Sequence, residues 1–142
     1  MTTTTTKPRP SLDQRRAEHA WRMMEAVNKS DEKPRADYTG EAHKLPVRIM
    51  ASGLGQALAF LYAKRTKKPG LNQLLGDLAN WVLVKRIENS FIEPQPQTTD
   101  LFRAVINADT EFLRWATEET LAYLQWINRF AEGLGLDSST NE

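Results

Sequence analysis

The sequence predicts an all-α fold, a compact orthogonal or bundle-like array of five to six helices in a single domain. Three observations predict it. Apolar residues recur at spacings of three and four along most of the 142-residue chain, as they do on helices with one buried face. No run alternates β-branched and polar residues, so no strand candidate arises. Polar stretches carrying proline or glycine separate the apolar stripes, and neither an internal repeat nor a long heptad array is present.

Residues 1–10 read as a flexible polar tail, 11–136 as the helical domain and 137–142 as a flexible C-terminus. Ser11 opens the first helix, with Gln14 three residues on to complete a reciprocal capping box. Ala17, Ala20, Trp21, Met24 and Val27 form its apolar face. Arg15, Glu18, Arg22, Glu25 and Lys29 alternate in sign on the other side, a solvated ladder whose pairs contribute about 0.2–0.5 kcal/mol each. Residues 28–40 read as a loop. A second helix spans roughly 41–52 and is interrupted by Pro46, which removes the hydrogen bond to the carbonyl of Ala42. Gly53 and Gly55 then force a corner.

Residues 56–63 are apolar almost all round, as in a central helix buried by its neighbours. Lys64, Arg65, Lys67 and Lys68 lie in a basic loop. The fourth helix spans about 71–88, with Leu71, Leu74, Leu75, Leu78 and Val82 on one stripe. Pro94 and Pro96 mark a linker, and Thr99 or Asp100 caps a short helix through Ile106. The last helix, about 109–132, has a core stripe of Leu113, Ala116, Thr120, Leu124, Ile127 and Ala131. Trp115, Ala122, Trp126 and Phe130 flank it, and Gly133 stands where a left-handed cap ends the helix. Trp21, Leu58, Leu61, Leu78, Leu124 and Ile127 are the expected core.

Composition narrows the function. With no cysteine, disulfides and cysteine-ligated metals are excluded, and a reducing, cytoplasmic setting fits best. No segment reads as a signal peptide, and the most apolar stretch, 54–63, is too short for a bilayer. The net charge of +1 hides an asymmetry: residues 1–70 hold 14 Lys and Arg against 7 Asp and Glu, and residues 71–142 hold 5 against 11. Such a split suits a basic face towards nucleic acid, or one copy's basic end meeting another's acidic end; folding can also mix the halves and erase it.

Chemistry is scarce. His19 and His43 are the only histidines, and nothing in the sequence brings them together as an acid–base pair. Glu118 and Glu119 are adjacent and point apart on a helix. No Glu-x-x-His pair, phosphate loop or metal-ligand spacing occurs, so no catalytic residue, metal or cofactor is expected. Binding signals are better. Lys44 and Arg48 share a helix side, and Lys64, Arg65, Lys67 and Lys68 form a denser cluster of the kind that contacts phosphates without reading bases. Arg16 joins them because it lies off the ladder with no acid at i+3 or i+4. Solvation alone is the competing account of these cations. Trp115, Trp126 and Phe130 could stack bases, though such stripes more often serve a core or a protein interface.

Three stretches carry a resemblance. The first is Ala20, Trp21 and Val27. The second is Lys44-Leu45-Pro46 followed by Gly53-Leu54-Gly55-Gln56-Ala57-Leu58-Ala59-Phe60. The third is Arg114-Trp115-Ala116-Thr117, then Tyr123-Leu124 and Trp126-Ile127-Asn128-Arg129-Phe130-Ala131. Over residues 11–136 the chain resembles the Cmr small subunit of the type III-B CRISPR effector. It departs from that pattern at Thr120, where alanine is usual, and at Asn128, where a basic residue is usual. The resemblance implies a non-catalytic, all-α antiviral-defence protein. Several copies would stack beside the backbone and large subunits of an RNA-guided, RNA-targeting ribonucleoprotein, next to the guide RNA–target RNA duplex. The alternative is a helical adaptor or regulator that binds protein alone.

Overall fold

The computed structural model describes residues 8–85 and 98–136. Six helices run in order: α1 (Leu12–Asn28), α2 (Glu32–Ser52), α3 (Leu54–Lys64), α4 (Gly70–Ala79), α5 (Asp100–Asn107) and α6 (Thr110–Gly133). No strand occurs among the described residues. The expected tail before Pro8, the linker around Pro94, the end of the fourth helix beyond Lys85 and the C-terminus past Leu136 lie outside them.

The capping box forms as the sequence predicts: Ser11 Oγ accepts from the Gln14 amide at 3.0 Å, and Gln14 Oε1 accepts from the Ser11 amide at 2.7 Å. Of the outer ladder, Arg22 bonds Glu18 at 2.8 Å, while Arg15 turns away to donate to the carbonyl of Lys85. The first correction concerns α2, which begins at Glu32 rather than Glu41. Pro34 is no obstacle, since proline is tolerated in a first turn that has no intrahelical N–H partner. Nor does Pro46 break the helix. The carbonyl of Ala42 that it leaves without a donor accepts instead from the Asn128 side-chain amide of α6, at 3.0 Å.

Gly53, at φ +90°, both ends α2 and starts α3, so the corner between them is one residue wide. Gly55 belongs to α3 itself and faces Val105 of α5. At Gly70 the start of α4 lies so close to α2 that a β-carbon would collide with the carbonyl oxygen of Pro34. α4 continues from Asn80 to Lys85 as a π-helical segment rather than as a plain α-helix. The left-handed residue after α6 is Gly135, not Gly133. Gly135 at φ +75° is followed by Leu136, whose amide reaches the Ala131 carbonyl at 2.8 Å, while the Gly135 amide reaches Glu132 at 3.1 Å.

α6 packs along α1 and α2, α2 also against α3 and α4, and α5 closes against α3. The core holds Leu58, Leu61, Leu78, Leu124 and Ile127 as predicted, together with Tyr38, Trp81 and Tyr123. Trp21 and Leu113 do not join it. Each sits on the rim of its stripe and is more than a third exposed, Trp21 packing edge-on against Phe130.

Candidate nucleic-acid interface

The site is built around an acid that the sequence reading passed over. Glu41 occupies the inner side of α2 and is 1% exposed. Helical spacing puts Lys44 and Arg48 on its face, three and seven residues on. The one-residue corner at Gly53 folds α3 back along α2 and returns Lys64 to the same point. Arg48 Nη1 donates to Glu41 Oε1 at 2.9 Å, while Lys64 Nζ and Lys68 Nζ both donate to Oε2, at 3.0 and 3.1 Å. Burial alone pushes the Glu41 carboxyl up. The hydrogen bonds from the three cations outweigh that and hold it down at about 2, so it is ionised throughout the physiological range.

Phe60, on α3 and exposed, lies beneath two of these cations. The Arg48 guanidinium is 4.0 Å from its ring centre and the Lys64 ammonium 4.9 Å. The Arg48, Lys64 and Lys68 side chains remain 23%, 33% and 35% exposed. One guanidinium and two ammonium groups carry far more N–H donors than one carboxylate can accept, and the charge of the group stays positive. Lys44 of α2 and Lys67, in the turn between Lys64 and Lys68, are exposed. Arg65 is half-buried, 3.8 Å over the Tyr62 ring and bonded to its hydroxyl at 3.1 Å. Val47 and Met50 of α2 are the most exposed large apolar residues described, at 73% and 76%.

Arg16 does not share this environment. Its guanidinium meets Glu119 of α6 twice, Nε to Oε2 at 2.6 Å and Nη2 to Oε1 at 2.9 Å, and its Nη1 reaches Asp13 at 3.0 Å. Trp81 donates to the same Glu119 oxygen at 2.8 Å, and Trp126 to Asp13 at 3.0 Å. The expectation of an unpartnered cation at Arg16 is therefore corrected. Its partners lie three residues back and 103 residues on, where a search at i+3 and i+4 cannot find them.

His19 and His43 lie in different settings. His43 is exposed on α2. His19 contacts Tyr123 Oη through Nδ1 at 2.6 Å and Asn80 Oδ1 through Nε2 at 2.7 Å. An amide oxygen only accepts, so Nε2 carries the proton and Nδ1 receives the tyrosine hydrogen. Burial pushes the imidazole below its ordinary value and keeps it neutral. A groove of about 1060 Å³ opens beside it, lined in part by Arg15, Asn72, Asp77 and Trp81. Asp77, bonded by Tyr38 at 2.7 Å and Gln73 at 2.6 Å, is raised to about 7 by burial. Among the described residues no three histidine or carboxylate side chains gather as a metal site. None of the helices there is long and apolar enough to cross a membrane.

Fold and site together define a small all-helical domain whose chemistry is a concentration of cations around one buried carboxylate. Residues 12–134 match the family model described as CRISPR-associated protein (Cas_Cmr5). The chain belongs to that family, which makes it a small subunit of the type III-B CRISPR Cmr complex. It is similar to the crystal structure of a CRISPR-associated Cmr5 family protein from Thermus thermophilus. The two are 28% identical and superpose with a TM-score of 0.72, over 89% of this chain and 98% of that one.

Proposed function

We propose that the chain is a non-catalytic, cytoplasmic structural subunit. Copies of it stack beside the backbone and large subunits and line the guide RNA–target RNA duplex of an RNA-guided, RNA-targeting ribonucleoprotein. The observation that carries the reading is the convergence of Arg48, Lys64 and Lys68 on one buried carboxylate; Lys44, Arg65 and Lys67 join them in the proposed surface. Cations held in a fixed group, with donors to spare, suit the regular phosphates of a duplex and need read no bases. Arg16 is set aside from this surface because its donors serve Glu119 and Asp13.

Stacking draws support from the two exposed apolar spots. Val47 and Met50 lie in the basic half, and Ile106 and Leu113 beside Asp109 and Glu111 in the acidic half. Two different patches meeting between copies make a heterologous, open-ended contact. The same Val47 and Met50 favour the second reading, an adaptor that binds protein alone.

Target-RNA affinity of the reconstituted complex, measured across a salt series, separates the two. Neutralising Lys44 and Arg48, or Lys64, Arg65, Lys67 and Lys68, should flatten the salt dependence by about 0.7–0.9 per lost phosphate contact. An unchanged salt slope with loss of the subunit from the complex would assign these residues to protein contact. No change in either would leave them merely solvated.

A further inference from the structure

We infer that Glu41 is a positioning residue for the RNA-facing surface: its buried carboxylate gathers Arg48, Lys64 and Lys68 into one fixed group that takes RNA phosphates. The inference rests on the reading above and adds to it a residue of the wrong charge for the role.

Lysine side chains on a surface are long and independently mobile, and a phosphate that immobilises them costs conformational entropy. Here that cost is met within the protein. Both lysine ammonium groups touch the same Glu41 oxygen, at 3.0 and 3.1 Å, so they stand no more than about 6 Å from each other. The carboxylate offsets the repulsion that would otherwise drive two such charges apart. Arg48 is fixed twice, by Oε1 and by the Phe60 ring. Glu41 itself is sealed from solvent at 1% exposure, so a phosphate approaching the group meets the cations first. It also joins three separate pieces of chain: Arg48 on α2, Lys64 at the end of α3 and Lys68 in the turn before α4.

The inference has an unusual sign. If Glu41 merely subtracted one charge from a basic patch, Glu41→Gln would strengthen RNA binding and steepen its salt dependence. A positioning role requires the opposite. The side-chain amide turns an N–H towards cations, the ammonium groups part, and both affinity and salt slope fall.

The experiment uses the reconstituted complex and duplex-forming target RNA, comparing wild type, Glu41→Gln, Glu41→Asp, Lys64→Met/Lys68→Met and the triple variant. Subunit occupancy is measured alongside, and slopes are compared for fully occupied complexes. Glu41→Gln is expected to shallow the slope by about 0.9 for each ammonium that leaves the phosphates. It should lower affinity several-fold at low salt, with partial rescue by Glu41→Asp and, relative to the lysine pair, only the smaller loss that comes through Arg48 in the triple variant. Tighter binding or a steeper slope in Glu41→Gln overturns the inference and leaves the RNA-facing surface standing. If the lysine pair itself leaves affinity and slope at wild-type values, the RNA reading fails with it. If Glu41→Gln does not enter the complex, Glu41→Asp decides: a wild-type slope from an occupied complex counts against positioning, and a shallower one supports it.

Discussion

Replacing Arg16 with alanine strips the bidentate cation from a carboxylate that is 4% exposed. Charge-assisted hydrogen bonds are each worth about 1.5–3 kcal/mol. Breaking a buried ion pair from one side costs about 3–5 kcal/mol, because the other charge stays behind without its partner. Arg16 is 17% exposed and so partly screened, which places the expected loss near 3 kcal/mol, at the lower end of that range. At about 2–4 °C per kcal/mol for a chain of this size, Arg16→Ala should melt roughly 10 °C below wild type. Urea unfolding followed by circular dichroism measures the difference directly. Two further outcomes follow from the mechanism. Arg16→Met/Glu119→Gln should recover more than half of the loss, because glutamine retains an oxygen for the Trp81 indole N–H. The deficit of Arg16→Ala should also narrow as pH falls, because a buried carboxyl that has lost its guanidinium takes up a proton more readily. A loss under about 1 kcal/mol, typical of surface pairs, or a deficit that ignores both pH and the second substitution, would refute the buried-pair account. In the complex, the same variant should leave the salt slope of RNA binding untouched.

Asp77→Asn tests the acid that burial raises from 3.8 to about 7. The folded state keeps that proton over a range in which the unfolded chain has lost it, so wild-type stability falls as pH rises from about 4 to 7, by up to about 1.4 kcal/mol per unit. Urea midpoints of Asp77→Asn should therefore gain on wild type at about pH 8, with the advantage shrinking towards about pH 4; parallel profiles would sink the idea. Thr120 buries a hydroxyl with no hydrogen-bond partner, and Thr120→Val removes it at nearly constant shape. A gain of about 1 kcal/mol is expected, read as a higher urea midpoint at unchanged slope, and a loss would mean that the hydroxyl is satisfied in solution.

What could be read in advance depended on how local its cause was. α3 and α6 carry their apolar stripes and caps within a few residues, and both appear close to where periodicity puts them. The first half of α2 reads as a loop because Glu32, Pro34, Asp37 and Gly40 mimic one. Its helix is set by tertiary packing, with Asp37, Tyr38 and Thr39 buried against other elements. The freeing of the Ala42 carbonyl by Pro46 is legible from the chain alone. The donor that replaces the missing N–H, Asn128, is 86 residues away and invisible to any local rule. The cations of α2 and of the end of α3 remote from Gly53 were legible as a group, but Glu41 was not. Counting charges along a chain does not show which of them turns inward.

The clasp at Glu41 also has a mechanical side. From Glu41 to Gly53 is about 18 Å of helix, and from Gly53 to Lys64 about 16 Å, at about 1.5 Å per residue. The free ends meet in a 3.0 Å hydrogen bond, so the two helices form a pair of tongs with a single glycine as the pivot. Fastened at the tips, the tongs resist opening with the greatest leverage the fold provides, since a torque at Gly53 meets its restraint a full arm's length away. The same geometry works in reverse. A ligand that slackens the tips by about 1 Å turns one arm against the other by only about 3°, while one that bridges them stiffens the whole corner, Val47 and Met50 included.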